Sequence, residues 1–167
     1  MEDHVRLYTL NYQEAKTYFW VLTFVVCNMV LPQLFHLIPN GGVIFAPLSA
    51  VILMGSYKFG WKVGTLSALL SPMVNHFIFG MPSTDMVLIM TAKLLVIALV
   101  ASWAAHRFQS KNIRLLISVV LLSTLLGGCA EWMLTHQISA TIADFTIGWP
   151  GFLLQVVTTS LFVRLVR

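Results

Sequence analysis

Residues 85–105 read DMVLIMTAKLLVIALVASWAA, and this stretch decides the fold. Between Asp85 at its start and His106-Arg107 just beyond its end, the only charge is Lys93. A helix rises about 1.5 Å per residue, so the stretch matches a hydrocarbon layer roughly 30 Å thick. A surface helix of a soluble protein keeps one polar face. This stretch has apolar residues on every face, which makes lipid its solvent.

Five further segments repeat the pattern: Thr17–Leu37, Val43–Tyr57, Gly60–Phe79, Ile113–Thr135 and Phe145–Val166. The second is short. It either stands upright in the bilayer or begins within the preceding Pro39-Asn40-Gly41-Gly42 turn. Gly41-Gly42, Gly60 and Gly80-Met81-Pro82 mark the joints. Over the whole chain 58% of the 167 residues are hydrophobic and 10% are charged. A soluble domain is about a quarter charged, so this chain lacks the polar groups to cover a water-facing surface. The expected fold is an all-α polytopic membrane protein: one domain over residues 1–167, six transmembrane helices, and a short cytoplasmic segment at residues 1–16.

The basic residues orient it. Arg6, Lys16, Lys58, Lys62, Arg107, Lys111, Arg114, Arg164 and Arg167 fall at the N-terminus, the second and fourth joints and the C-terminus. With six spans these positions share one side, and loops rich in Lys and Arg stay in the cytoplasm. Both termini are therefore expected inside, with the chain multi-pass in the cytoplasmic membrane. The acidic start Met1-Glu2-Asp3 predicts no cleavable signal peptide. The net charge of +4 is spread over short loops, so nucleic acid is not an expected partner.

Small residues recur at helical spacing: Gly60, Gly64, Ser67, Ser71 and Asn75 in the third span, Ala46 and Ala50 in the second, Ala98, Ser102 and Ala105 in the fourth, and Ser123, Gly127 and Glu131 in the fifth. In lipid, close helix packing depends on such stripes, which can also line a cavity. Pro32 and Pro150 are candidate kinks. Cys27 and Cys129 sit in apolar runs and read as packing residues.

Lys93 lies about two turns below the outer end of its span, and Glu131 about one turn below the end of the fifth. Ionisable groups at such depth are expensive and usually functional. Three arrangements are open: an ion pair, a ligand site in which Lys93 takes an anionic group, or two separate cavities. The outer halves of the spans also hold His36, Asn40, Asn75, His76, Ser83, Thr84, Asp85, Trp132, His136, Gln137, Asp144, Trp149 and Gln155, while the inner halves are almost wholly apolar. This distribution predicts a closed, outward-facing pocket rather than a pore. No P-loop, HExxH or GxSxG occurs. The chain is therefore not expected to be an enzyme, to hold a metal or cofactor, or to pump by its own ATP hydrolysis.

One stretch carries a family resemblance. Leu31–Leu95 contains Leu31-Pro32, His36, Gly41-Gly42, Pro47, Phe59-Gly60, Gly64, Ser71-Pro72 and Gly80-Met81-Pro82. In this order the features resemble the substrate-binding S-components of energy-coupling-factor transporters, a branch of the ABC transporters. The resemblance implies six helices, high-affinity capture of a vitamin or similar organic micronutrient outside the cell, and association with a transmembrane coupling protein and two cytoplasmic ATPases. It also implies a pocket formed by the outer loops and the outer halves of spans four to six. Related sequences often carry Glu where this chain has Lys93, which implies a different, carboxylated ligand. Many of them also show Ala-x-x-x-Ala in span one, whereas Thr17–Leu37 has no alanine. Docking would then use Ala46 and Ala50 or the stripe of span three.

The expected ligand contacts are His36, Asn40, Asn75, His76, Lys93, Glu131, Trp132, Trp149 and Gln155. Lys93 is the expected anion partner, Asn75 and Gln155 hydrogen-bond, and the tryptophans stack on a planar group. Two rivals are a ligand-free scaffold subunit of an envelope complex, and an enzyme of lipid-like substrates using Asp85, Glu131 or Asp144 with a histidine.

Overall fold

The computed structural model describes residues 10–109 and 112–166. Arg6, Lys111 and Arg167 of the charge asymmetry lie outside the described residues. The described residues form helices joined by short turns, with no strand among them. In chain order these are α1 (Ala15–Phe35), α2 (Gly41–Phe45), α3 (Pro47–Phe59), α4 (Trp61–Phe79), α5 (Thr84–Phe108), α6 (Ile113–Thr135), α7 (Ile138–Thr146) and α8 (Trp149–Leu165). Four helical stretches are long and apolar enough to cross a membrane: Ala15–Phe35, Gly41–Phe59, Thr84–Phe108 and Ile113–Thr135. Among the remaining helices, α4 carries Ser67, Ser71, Asn75 and His76, which lower its apolarity. The last helix, α8, has 17 residues.

The short second segment begins within the turn before it. Helix α2 starts at Gly41, and the break comes at Ala46, a left-handed residue with φ 42°. Pro47 imposes that break, because proline disfavours the right-handed helical conformation in the residue before it. The sixth segment differs from the expected continuous Phe145–Val166. It is split at Gly148, so Asp144 belongs to α7 rather than to the last long helix. The kink expected at Pro150 does not form. Pro150 occupies the first turn of α8, where a missing N–H breaks no helical hydrogen bond.

The exterior is apolar, unlike that of a soluble protein. Leu22, Phe77, Leu88, Trp103, Met133 and Leu161 are each more than half exposed. Asn28, Ser56, Ser71, Asn75, Ser123 and Thr159 are buried. An apolar exterior over a core that includes hydroxyls and amides is the pattern expected when lipid replaces water.

The packing relies on close approach. A Cβ added at Gly64 would lie 2.2 Å from Ser56 Oγ and 3.2 Å from Ala98 Cβ, so α3, α4 and α5 meet where a side chain is missing. Along the seam between α1 and α4, Asn28 Nδ2 donates to Ser71 Oγ (2.9 Å), and Asn75 Nδ2 donates to the carbonyls of Asn28 (2.9 Å) and Ser71 (2.8 Å).

The two ends of the bundle differ. At the end holding the start of α1 and the ends of α3 and α8, Trp20 stacks on Phe59 with ring centroids 4.2 Å apart, flanked by Phe24 and Phe162. Lys62 also hydrogen-bonds Asn11 there. At the opposite end, Gly151 at the start of α8 abuts the carbonyls of Ile44 and Phe45, each 2.9 Å from where its Cβ would be. This seat brings the first turns of α8 beside α2 and α7.

Candidate functional site

Lys93 and Glu131 meet through helix geometry. Gly127 of α6 faces the backbone of Lys93 in α5, with the Lys93 Cα 3.9 Å from where a Gly127 Cβ would lie. Glu131 follows Gly127 by four residues, about one turn toward the end of α6. A lysine stem is apolar and about a turn long, so it can run along α6 and carry its ammonium outward. Nζ reaches Glu131 Oε2 at 2.8 Å.

A second carboxylate joins from α7. Asp144 Oδ2 lies 2.5 Å from the same nitrogen. This contact depends on the break at Gly148. In one continuous helix Asp144 would extend away from the bundle; with α7 folded back on α6, it turns toward α5. Thr141 secures the fold-back by donating to the carbonyl of Gly128 at 3.0 Å. Phe145 packs edge-on against Phe152 of α8, ring centroids 5.8 Å apart.

The three charged side chains are sheltered but reachable. They are 24% (Lys93), 10% (Glu131) and 27% (Asp144) exposed. Lys93 and Asp144 line a cleft of about 60 Å³ together with Ser123, Thr124 and Gln155. Gln155 is 3% exposed, and its Oε1 is one of four buried side-chain polar atoms without a partner among the described residues. Of those four, it alone belongs to a residue lining the cleft. A buried, unpaired amide oxygen costs about 1–3 kcal/mol, so a donor that reached it would relieve a standing penalty. The same helices close on Ala98, Ala101, Leu116, Val119, Val120 and Val156, an apolar core.

The nine sequence-predicted residues separate into groups. Lys93 and Gln155 line the cleft, and Glu131 binds Lys93. Asn75 lies on the α1–α4 seam, where its amide nitrogen serves two carbonyls. His76 Nδ1 is 2.7 Å from the carbonyl of Pro82 and orders the loop into α5. His36 is exposed and covers Gly42, and Asn40 is a left-handed turn residue (φ 57°) preceding α2. Trp132 and Trp149 are 49% and 58% exposed, the situation of residues facing a membrane interface.

Sequence reasoning missed Asp144 as a partner of Lys93 and the cleft hydroxyl of Thr124, while Ser123 belongs to the stripe expected to be able to line a cavity. For Asp144 a signal existed. Gly148-Trp149-Pro150 places proline just inside a helix start, which argues for a new helix after residue 148. Among the described residues no group of three His, Cys, Asp or Glu side chains could hold a metal ion. No protein-family model, curated protein or solved structure matches the chain.

Proposed function

We propose that this chain is a six-span protein of the cytoplasmic membrane, with both termini inside, that captures a small organic micronutrient from outside the cell. It acts as an S-component, passing its cargo inward with a transmembrane coupling protein and two cytoplasmic ATPases. The observation that carries the ligand-binding reading is the Lys93–Asp144 cleft with the unpaired Gln155 oxygen beside it; at about 60 Å³ the cleft takes one polar group of a ligand, and the rest of the micronutrient lies outside it. The cleft lies at the end of the bundle opposite Trp20, Phe59 and Phe162, and apolar packing fills the space between. A cleft near one end of the bundle, backed by apolar packing, suits capture followed by handover.

Two features support six spans. The polar residues of α4 that lower its apolarity are largely buried: Ser67, Ser71 and Asn75 face neighbouring helices rather than lipid. The break before α8 shortens it to 17 residues, about 26 Å, which a modestly thinned bilayer accommodates. Orientation is supported by Lys16, Lys58, Lys62, Arg107, Arg114 and Arg164. They lie at the start of α1, the end of α3, the start of α4, the end of α5, the start of α6 and the end of α8.

The test is purification of the full chain from its native membrane, with mass spectrometry of any small molecule that accompanies it. A stoichiometric organic ligand supports the binding reading. Co-purification of a membrane protein with two ATPases supports the S-component assignment. Ligand-free protein that no vitamin stabilises against heat overturns the binding reading and favours a scaffold. Cysteines introduced at Gln109 and Ser83 test the topology: a membrane-impermeant reagent should label Ser83→Cys from outside intact cells and leave Gln109→Cys unlabelled.

A further inference from the structure

We infer that the cleft takes a positively charged group, an ammonium, amidinium or similar cation, rather than the carboxylate that Lys93 alone would suggest. The inference rests on the binding reading and names the class of ligand. Lys93 donates to Glu131 and to Asp144, so two of its three protons are already committed. One positive charge faces two negative ones, which leaves the cluster one negative charge in excess. An excess charge at membrane depth is costly unless something balances it. Among the described residues no second cation is bonded to Glu131 or Asp144.

The free acceptors agree with this. Each carboxylate offers one oxygen to Lys93, while Glu131 Oε1 and Asp144 Oδ1 accept no hydrogen bond among the described residues. Gln155 adds a buried acceptor with no donor. A carboxylate ligand brings acceptors only. It could take the third Lys93 proton, but it would add a second uncompensated negative charge and bring no donor to the Gln155 oxygen. A cation brings donors and charge together, satisfying Gln155 and neutralising the excess.

The same chemistry can come from a free solute or from the amine headgroup of a lipid, and the test distinguishes the two. The full chain, purified in detergent, is titrated at neutral pH with benzylamine, benzyl alcohol and benzoate, and binding is read by calorimetry and thermal shift. Benzylamine is expected to bind at least tenfold more tightly than the other two. Asp144→Asn, which leaves the Lys93–Glu131 bond in place, is expected to abolish that preference. Benzoate binding as well as benzylamine, or a preference unchanged in Asp144→Asn, overturns the charge assignment while the binding reading stands. Failure of all three probes up to millimolar concentration overturns both. Reconstitution into nanodiscs of ethanolamine-headed or glycerol-headed phospholipid adds the second arm. Benzylamine blocked only by the ethanolamine lipid supports the charge, assigns it to a headgroup, and overturns the soluble-nutrient reading.

Discussion

Thr141 rests on the bare backbone of Gly128. Its hydroxyl donates to the Gly128 carbonyl at 3.0 Å, and a Cβ on Gly128 would lie 2.5 Å from the Thr141 methyl. This contact holds α7 against α6 and thereby sets Asp144 beside Lys93. Gly128→Ala should push Thr141 away, break its hydrogen bond and loosen α7. Faster hydrogen exchange over residues 138–146, with little change in the rest of the bundle, is the expected result. The neighbouring Gly127→Ala is the control: its added carbon would sit 3.9 Å from Lys93, an ordinary contact. It should leave α7 exchange unchanged.

Gly64 is the tighter constraint. A Cβ there meets Ser56 Oγ at 2.2 Å and Ser56 Cβ at 2.8 Å, with Ala98 on the far side. Ser56 cannot easily swing away, because its hydroxyl donates to the carbonyl of Ile52 at 2.6 Å. Gly64→Ala should therefore separate α3, α4 and α5, at a cost of about 1–3 kcal/mol typical of overpacking. Denaturant unfolding in detergent would measure it. Ala68→Gly, one turn along α4, should not reproduce this loss through steric strain.

The helices themselves were legible in the sequence, because their lipid-facing surfaces must be apolar along their whole length. The run at Asp85–Ala105 became α5, and Ile113–Thr135 became α6 with the same bounds. The site was only partly legible. Lys93 and Glu131 could be placed by depth, since both sit on regular helices whose ends are marked. Asp144 could not be placed by the same count, because its position follows from the helix break at Gly148 and the fold-back of α7. Asn75 and Lys93 look alike in a one-dimensional reading, as polar residues in outer half-spans. Only the packing separates a residue serving the α1–α4 seam from one lining a cleft.

That separation is testable at Asn75. Its amide nitrogen donates to Asn28 and Ser71 carbonyls within the seam. Interhelical hydrogen bonds in membranes contribute about 0.6 kcal/mol on average and up to about 1.7. Asn75→Ala should lower stability by about 1 kcal/mol in denaturant unfolding and leave ligand affinity unchanged. Gln155→Leu should do the opposite. It removes a buried oxygen with no partner, so stability should hold or rise slightly, while affinity for the cleft ligand falls.

The charged cluster separates structural from functional contributions through a set of variants. Lys93→Met alone leaves Glu131 and Asp144 facing each other with no cation between them. Removing one member of a fully buried ion pair costs about 3–5 kcal/mol. The cost here should be smaller, roughly 2 kcal/mol, because Lys93 and Asp144 are about a quarter exposed and water can reach them. Lys93→Met with Glu131→Gln and Asp144→Asn removes all three charges together. It should recover most of the lost stability, since no unbalanced charge remains at depth. Binding should not recover with it, because the carboxylates that attract the ligand are gone. Thermal unfolding and calorimetric titration of the single and triple variants provide the measurement. Recovery of both properties in the triple variant would make the cluster dispensable for binding.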